Sequence, residues 1–203
     1  MILKEVGLEL EMFLLDKSNN ILEPMLFGFP SDEMGFLIEI RTHHSNTGKS
    51  VLESLRKNIE WNVTKAKKLG FKVDIVSHMK VTKEFQEYIS NKYKHDTFAD
   101  QTRNLYGLKG SHHTGLHNGF ATAGMHVHFS AREINGIEAK VVKLPVEDIV
   151  KQMDEEFNPV ITESQRLLGE YELKGHGFEY RSLPNTAFPD KVVGTALSIL
   201  EEI

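Results

Sequence analysis

The 203-residue chain contains no cysteine. Disulfides, thiolate zinc sites, cysteine nucleophiles and thiol redox chemistry are therefore excluded, and the composition agrees with a reducing cytosol. There is no run of about 18 apolar residues that could cross a bilayer. Glu5, Glu9 and Glu11 interrupt the first apolar stretch, so it cannot act as the apolar core of a signal peptide. No membrane partner is expected, and a cytoplasmic location is. No Lys/Arg-rich run interleaves with aromatics and the net charge is only -5, which argues against nucleic acid as a partner. Repeats, low-complexity segments and linkers are missing too. What is present, 40% hydrophobic and 26% charged residues, describes one domain over residues 1–203 with a core large enough to carry a site.

Periodicity predicts mixed strands and helices, an α+β chain. A first strand runs from Leu3 to Leu15 and ends in a turn at Lys17–Asn20, and a second covers Gly35 to Thr42. Apolar positions from Val51 to Leu69 fall at helical spacing, with Ser50 as the cap and Gly70 as the stop. Phe71 to Val76 alternates like a half-buried strand, and Thr82 caps a short helix. Five glycines, three histidines and no period between Asp96 and Gly124 predict a long irregular loop. A strand through His126 reaches Ile134. After it, Asn135-Gly136 can make a two-residue hairpin turn, or Ile137 to Leu144 can start a helix. A helix is expected from Pro145 to Phe157 with an interruption near Pro159, then a strand carrying Glu179, then a last helix marked by Val192, Val193, Ala196, Leu197 and Leu200.

Four short segments place polar, metal-competent residues two apart inside apolar stretches: Glu9-Leu10-Glu11, Glu39-Ile40-Arg41, His126-Val127-His128 and Glu179-Tyr180-Arg181. In a strand, residues i and i+2 point to the same face, so each pair is aimed at one side of a sheet. A solvated face would also carry Lys, Thr, Ser and Gln, whereas these segments offer only Glu, His and Arg. Crowded without neutralisation, such carboxylates would have raised pKa values, and replacing one by an amide would relieve repulsion; a bound cation is the economical resolution. The surplus of carboxylates over histidines favours a hard ion, Mg2+ or Mn2+. Two other motifs are weaker. Gly48-Lys49-Ser50 ends like a phosphate-binding loop, but His43 stands where that loop needs its first glycine. His112, His113 and His117 could hold zinc, although their irregular spacing in a Gly-rich loop also suits a substrate loop.

The segment Ala123 to Ser130 resembles the G-M-H-x-H-x-S signature of glutamine synthetases, Gly7-x-Glu9-x-Glu11 resembles their first acidic strand, and Phe178-Glu-Tyr-Arg181 their late E-x-R strand. The order of the four motifs is similar to that of the wider carboxylate-amine ligase superfamily, which includes glutamate-cysteine ligases. Glu39-Ile-Arg41 and His176 to Leu183 most resemble its phage-type members, the type 2 amidoligases. The resemblance implies a curved, mostly antiparallel sheet with helices on the convex face and ATP with two or more Mg2+ ions on the concave face. By position, Glu11 and Glu39 would correspond to ligands of a metal on the amino-acid side, and Glu9, His126 and Glu179 to ligands of a metal on the nucleotide phosphates. His128 and Arg41 would lie near the cofactor, while Arg181 and Arg166 would bear the charge of the transferring phosphoryl group. The implied substrates are a small-molecule or peptide carboxylate and an amine. A metal-dependent hydrolase using the same face, and a non-enzymatic binding protein with a ligase-like sheet, are the alternatives. A second copy of the chain covering Val193, Leu197 and Leu200 would make a homo-oligomer.

Overall fold

The computed structural model describes residues 1–32, 35–92, 101–108, 116–117, 119–164 and 166–203. Eight strands form one open sheet in which every pairing is antiparallel. Its main path runs β2 (Leu37–Arg41), β1 (Ile2–Leu15), β8 (Gly124–Asn135), β11 (Gly177–Pro184), β10 (Glu170–Lys174) and β5 (Thr102–Asn104). β3 (Lys72–Asp74) pairs with the end of β1, and β9 (Glu138–Val141) with the end of β8. A separate small sheet joins β4 (His78–Lys80), β7 (Phe120–Thr122) and β6 (Leu116–His117).

Alternation along β1 decides the layers. Val6, Leu8, Leu10, Met12 and Leu14 are buried in the main core, with Ile38 and Ile40 of β2, Met125, Val127 and Phe129 of β8, and Phe178 and Tyr180 of β11. Against this face lie α1 (Gly48–Lys68), α3 (Val146–Glu163) and α4 (Pro189–Glu202), through residues such as Val51, Leu55, Met153, Phe157, Val192 and Ala196. The opposite phase of β1 carries Glu5, Gly7, Glu9 and Glu11, and then becomes apolar at Phe13 and Leu15. These two belong to a second core with Phe36, Leu37, Leu116, Ala121, Ala123 and Ile89 of α2 (Lys83–Lys92). The expected segregation of all helices to one face therefore fails at α2, which joins the small sheet over the far end of the polar face. Val193 and Leu200 are buried within the chain itself, and Leu197 is half-buried against the same core.

Local chemistry explains most element ends. At the end of α1, Phe71 N–H bonds to Ala66 O and Gly70 N–H to Lys67 O, with Gly70 at φ 78°, the glycine-closed Schellman arrangement. Thr82 Oγ1 accepts the Phe85 amide at 3.2 Å and so caps α2. The Ser50 cap is a correction: Thr47 occupies the N-cap of α1, Ser50 lies inside its first turn, and the Ser50 hydroxyl meets His43 Nε2 at 2.7 Å. Pro159 does not interrupt α3, which continues to Glu163; only the one hydrogen bond that its missing N–H would make is lost. The Asn135 region is a hairpin, but Asn135 pairs with Glu138 and the two loop residues are Gly136, at φ 65°, and Ile137. The segment expected as one irregular loop contains β5, β6 and β7.

Candidate metal and phosphate site

Cross-strand register converts the four motifs into rows. Arg41, Glu9 and His126 sit opposite one another on β2, β1 and β8. One step along, Gly7, His128, Glu179 and Glu172 line up across β1, β8, β11 and β10. Glu11 faces Glu39 across β1 and β2 on the other side of the first row. Adjacent strands lie about 4.8 Å apart, so these rows bring Glu9, Glu11, Glu39, His126 and Glu179 together on one face. Glu9, His126 and Glu179 are all buried and offer ligand atoms within 4.8 Å of one another.

Arg181 reaches the same face by simple alternation from Glu179, and a bulge beside it resets the phase of the strand. Tyr180 pairs with Val127 but Leu183 with Met125, so β11 carries one residue more than β8 across this interval. Arg181 stays in phase with Glu179, two residues before it, while Leu183 returns to the main core. The Ser182 hydroxyl, completely buried in the irregularity, accepts the Glu170 amide at 3.0 Å. Arg166 donates from Nη2 to the Arg181 carbonyl at 2.7 Å and packs against Gly124, where a Cβ would fall 2.9 Å from its guanidinium nitrogens. Gly124 N–H in turn donates to Glu11 Oε2.

The charges are arranged around His126. Its Nδ1 donates to Glu9 Oε1 at 2.8 Å and lies 3.0 Å from Glu179 Oε1, while Nε2 is 4.0 Å from Glu11 Oε1. Burial and the Arg181 charge oppose its protonation, but Glu11, Glu179 and Glu9 outweigh them and raise its pKa to about 9. The three carboxylates thus favour the imidazolium form of His126. Burial would raise Glu9 and Glu179, yet His126 in both cases, with His128 and Arg41 at Glu9 and Arg181 at Glu179, pulls them well below the usual carboxylate range. The expected elevation of carboxyl pKa values fails at Glu9 and Glu179 and is met at Glu39, which burial and the neighbouring Glu9 and Glu11 push up to about 8 against the pull of Arg41.

Arg41 bridges Glu9 and Glu39, each at 2.7 Å, and its side chain is 64% exposed, so it can leave without crossing the protein interior. Arg181 Nη1 lies 2.9 Å from Glu172 and 3.1 Å from Glu179, and Lys174 Nζ lies 2.7 Å from Glu172 and 2.9 Å from Glu179. Glu179 Oε1 meets no well-aligned hydrogen-bond donor among the described residues, but His126 Nδ1 at 3.0 Å and Arg181 Nη1 at 3.1 Å face it as ion-pair partners. Buried carboxylates converging with a ring nitrogen are a donor set that suits a metal cation in place of these side-chain cations. The residues present fit a hard divalent ion.

Glu172 and Lys174 are missing from the four sequence motifs, although Glu172-Leu173-Lys174 has the same spacing of two that defines them. His44 and His176 are also at the site edge, and no strand period could flag them, because His44 stands between β2 and the bridge at Ser45 and His176 in a turn. Their rings contact His128: the His44–His128 centroid distance is 5.6 Å, His44–His176 4.9 Å and His128–His176 5.4 Å. Burial and the neighbouring His128 and His176 hold His44 down to about 4, and burial, His128 and Lys174 lower His176. His112 and His113 lie outside the described residues; the backbone at His117 forms part of β6. No helix among the described residues is long and apolar enough to cross a membrane. Compared with protein-family models, with curated proteins and with solved structures, the chain matches none.

Proposed function

We propose that the chain is an ATP- and Mg2+-dependent carboxylate-amine ligase with a glutamine-synthetase-like catalytic sheet. The observation that carries this reading is the convergence of Glu9, Glu11, Glu39, His126 and Glu179 on one sheet face, with three buried ligand atoms from Glu9, His126 and Glu179 within 4.8 Å of one another and Arg181 at the edge. Glu9, His126 and Glu179 would hold one ion and Glu11 and Glu39 another. Bound Mg2+ or Mn2+ supplies positive charge for the phosphate oxygens.

In this reading the substrate carboxylate oxygen attacks the γ-phosphorus of ATP, the bond to the β–γ bridging oxygen breaks, and ADP leaves. The amine nitrogen then attacks the acyl carbon, expels phosphate and loses a proton, giving an amide. Phosphoryl transfer depends on positioning and on cationic groups at the oxygens, so neither a cysteine nor a complete phosphate-binding loop is required. Arg181 suits the charge-bearing role because Glu172 and Glu179 fix its guanidinium through Nη1. Arg166 supports the same strand through the Arg181 carbonyl. Arg41, exposed and paired to two of the ligand carboxylates, suits an exchange of partners when a cation and nucleotide enter.

The test is ADP release from the purified protein with MgATP across a panel of amino acids, peptides and amines, with mass spectrometry of the products. ADP formation that needs both a carboxylate and an amine is expected. A folded protein that neither binds MgATP nor releases ADP overturns the reading. Arg181→Lys should leave ATP affinity near normal and depress turnover, since Lys keeps the charge but loses the planar fork. Wild-type turnover with a lowered melting temperature would instead assign Arg181 to the Glu172–Glu179 ion pairs alone.

A further inference from the structure

We propose that His44, His128 and His176 form a second metal site, chemically distinct from the carboxylate cluster, which takes a borderline divalent ion such as Zn2+ through three imidazoles. One ring nitrogen from each residue lies within 4.8 Å of the other two. His128 Nδ1 and His176 Nε2 are 3.4 Å apart. Two nitrogens that ligate one tetrahedral Zn2+ at 2.0–2.1 Å must be about 3.3–3.4 Å apart. That edge of the coordination figure is already in place, and small rotations of the third ring complete it.

The backbone is shaped to admit that third ring. Thr42 pairs with Leu8 and Ser45 with Val6, so two residues, His43 and His44, stand opposite the single Gly7. A Cβ on Gly7 would lie 2.3 Å from His44 Cδ2. Gly7 is also the residue paired with His128, so the missing side chain lets the His44 ring approach the His128 strand. His176 arrives from the two-residue turn between β10 and β11, where Lys174 pairs with Gly177.

Groups behind the three rings orient them. His44 Nδ1 lies 3.4 Å from the Ser130 hydroxyl. His128 Nε2, buried and with no hydrogen-bond partner among the described residues, lies 3.5 Å from Glu9 Oε2. With Nδ1 on a metal, Nε2 carries the proton and turns it to this carboxylate, the arrangement that fixes ring tautomers in metal sites. Three neutral nitrogen donors select Zn2+ or its first-row neighbours over Mg2+, and three protein ligands leave a fourth position for water or for an anionic substrate group.

Co2+ titrated into the purified full-length protein, followed by its visible d–d absorption and then displaced with Zn2+, tests the site. Wild type should bind one Co2+ with the intense absorption of a tetrahedral complex, in the presence of excess Mg2+. His44→Gln and His176→Gln should weaken binding by more than the roughly 10–100-fold that losing an outer partner costs. Glu11→Gln and Glu179→Gln should leave it in place, with circular dichroism confirming the fold of each variant. Absence of Co2+ binding by wild type overturns the proposal, as does binding that follows Glu179 and ignores both histidines. Because the readout needs no nucleotide or turnover, it stands or falls separately from the ligase reading.

Discussion

Glu39 and Glu179 lie on the same sheet face, yet their surroundings shift them in opposite directions. Burial and the neighbouring acids push Glu39 up to about 8, which favours its protonated form; His126 and Arg181 draw Glu179 down, which favours its carboxylate. Glu39→Gln should therefore leave the stability of the metal-free protein unchanged or slightly higher. Glu179→Gln should lower it by about 3 kcal/mol, because three cationic groups lose a buried partner. Both should cut MgATP-dependent turnover by orders of magnitude, since each removes a proposed ligand. Urea unfolding after chelation checks the pair. Equal destabilisation would mean that Glu39 is ionised and held by Arg41. The rule that relieving a crowded carboxylate stabilises thus applies residue by residue, according to where the cations sit.

At the scale of elements, β8 and β11 must stay in close register for Glu179 to meet His126, and Gly177 permits it. A Cβ there would fall 2.0 Å from the Phe129 carbonyl oxygen, at a φ of 152°. Gly177→Ala should cost about 1–3 kcal/mol and weaken Mn2+ binding, measured by denaturation and by calorimetry. Gly136→Ala, at φ 65° with open space around it, should cost about 1 kcal/mol and leave Mn2+ binding alone; equal loss of Mn2+ affinity in both would show that the register does not matter. Elements with a clear period were readable from sequence: α1 with its Gly70 stop, and the alternating phases of β1, β8 and β11 that set Glu9, His126 and Glu179 on one side. Short strands were not, because three residues such as Thr102–Asn104 carry too little alternation to register. The bulge at Ser182 and the opposition of His43 and His44 to one glycine are tertiary facts with no local signature. Pro159 misled because the loss of one helical hydrogen bond is outweighed by the burial of Phe157 and Ile161 on either side of it.

For the whole molecule, the titrating groups combine into a pH profile. His126 is raised from 6.5 to about 9, so its contribution is complete below 6.5 and lost as pH rises through 9. Glu39, raised from 4.5 to about 8, loses its contribution between those values. His44, lowered from 6.5 to about 4, acts in the opposite sense: the folded state loses stability as pH falls from 6.5 towards 4. Between 4.5 and 6.5, Glu39 and His44 offset each other; between 6.5 and 8, Glu39 and His126 act together. The melting temperature of the chelated protein should be nearly flat over the first interval and fall steeply over the second. A rise between pH 6.5 and 8 would contradict the assignment. Mn2+ should stabilise more at pH 8 than at 6.5, because binding has to displace the same protons.

The position of β1 has a consequence for synthesis. It is made well before its long pairing partner β8, which begins at Gly124. At about 5–20 residues per second, one edge of β1 waits on the order of ten seconds, bearing Leu8, Leu10, Met12, Phe13 and Leu14 with nothing to pair against. An apolar strand with an open edge is an aggregation hazard, and charged residues placed within it are the usual protection. Glu5, Glu9 and Glu11 supply that protection in the nascent chain. The acids proposed to gather cations in the finished protein therefore keep β1 apart from other chains until β8 has been made.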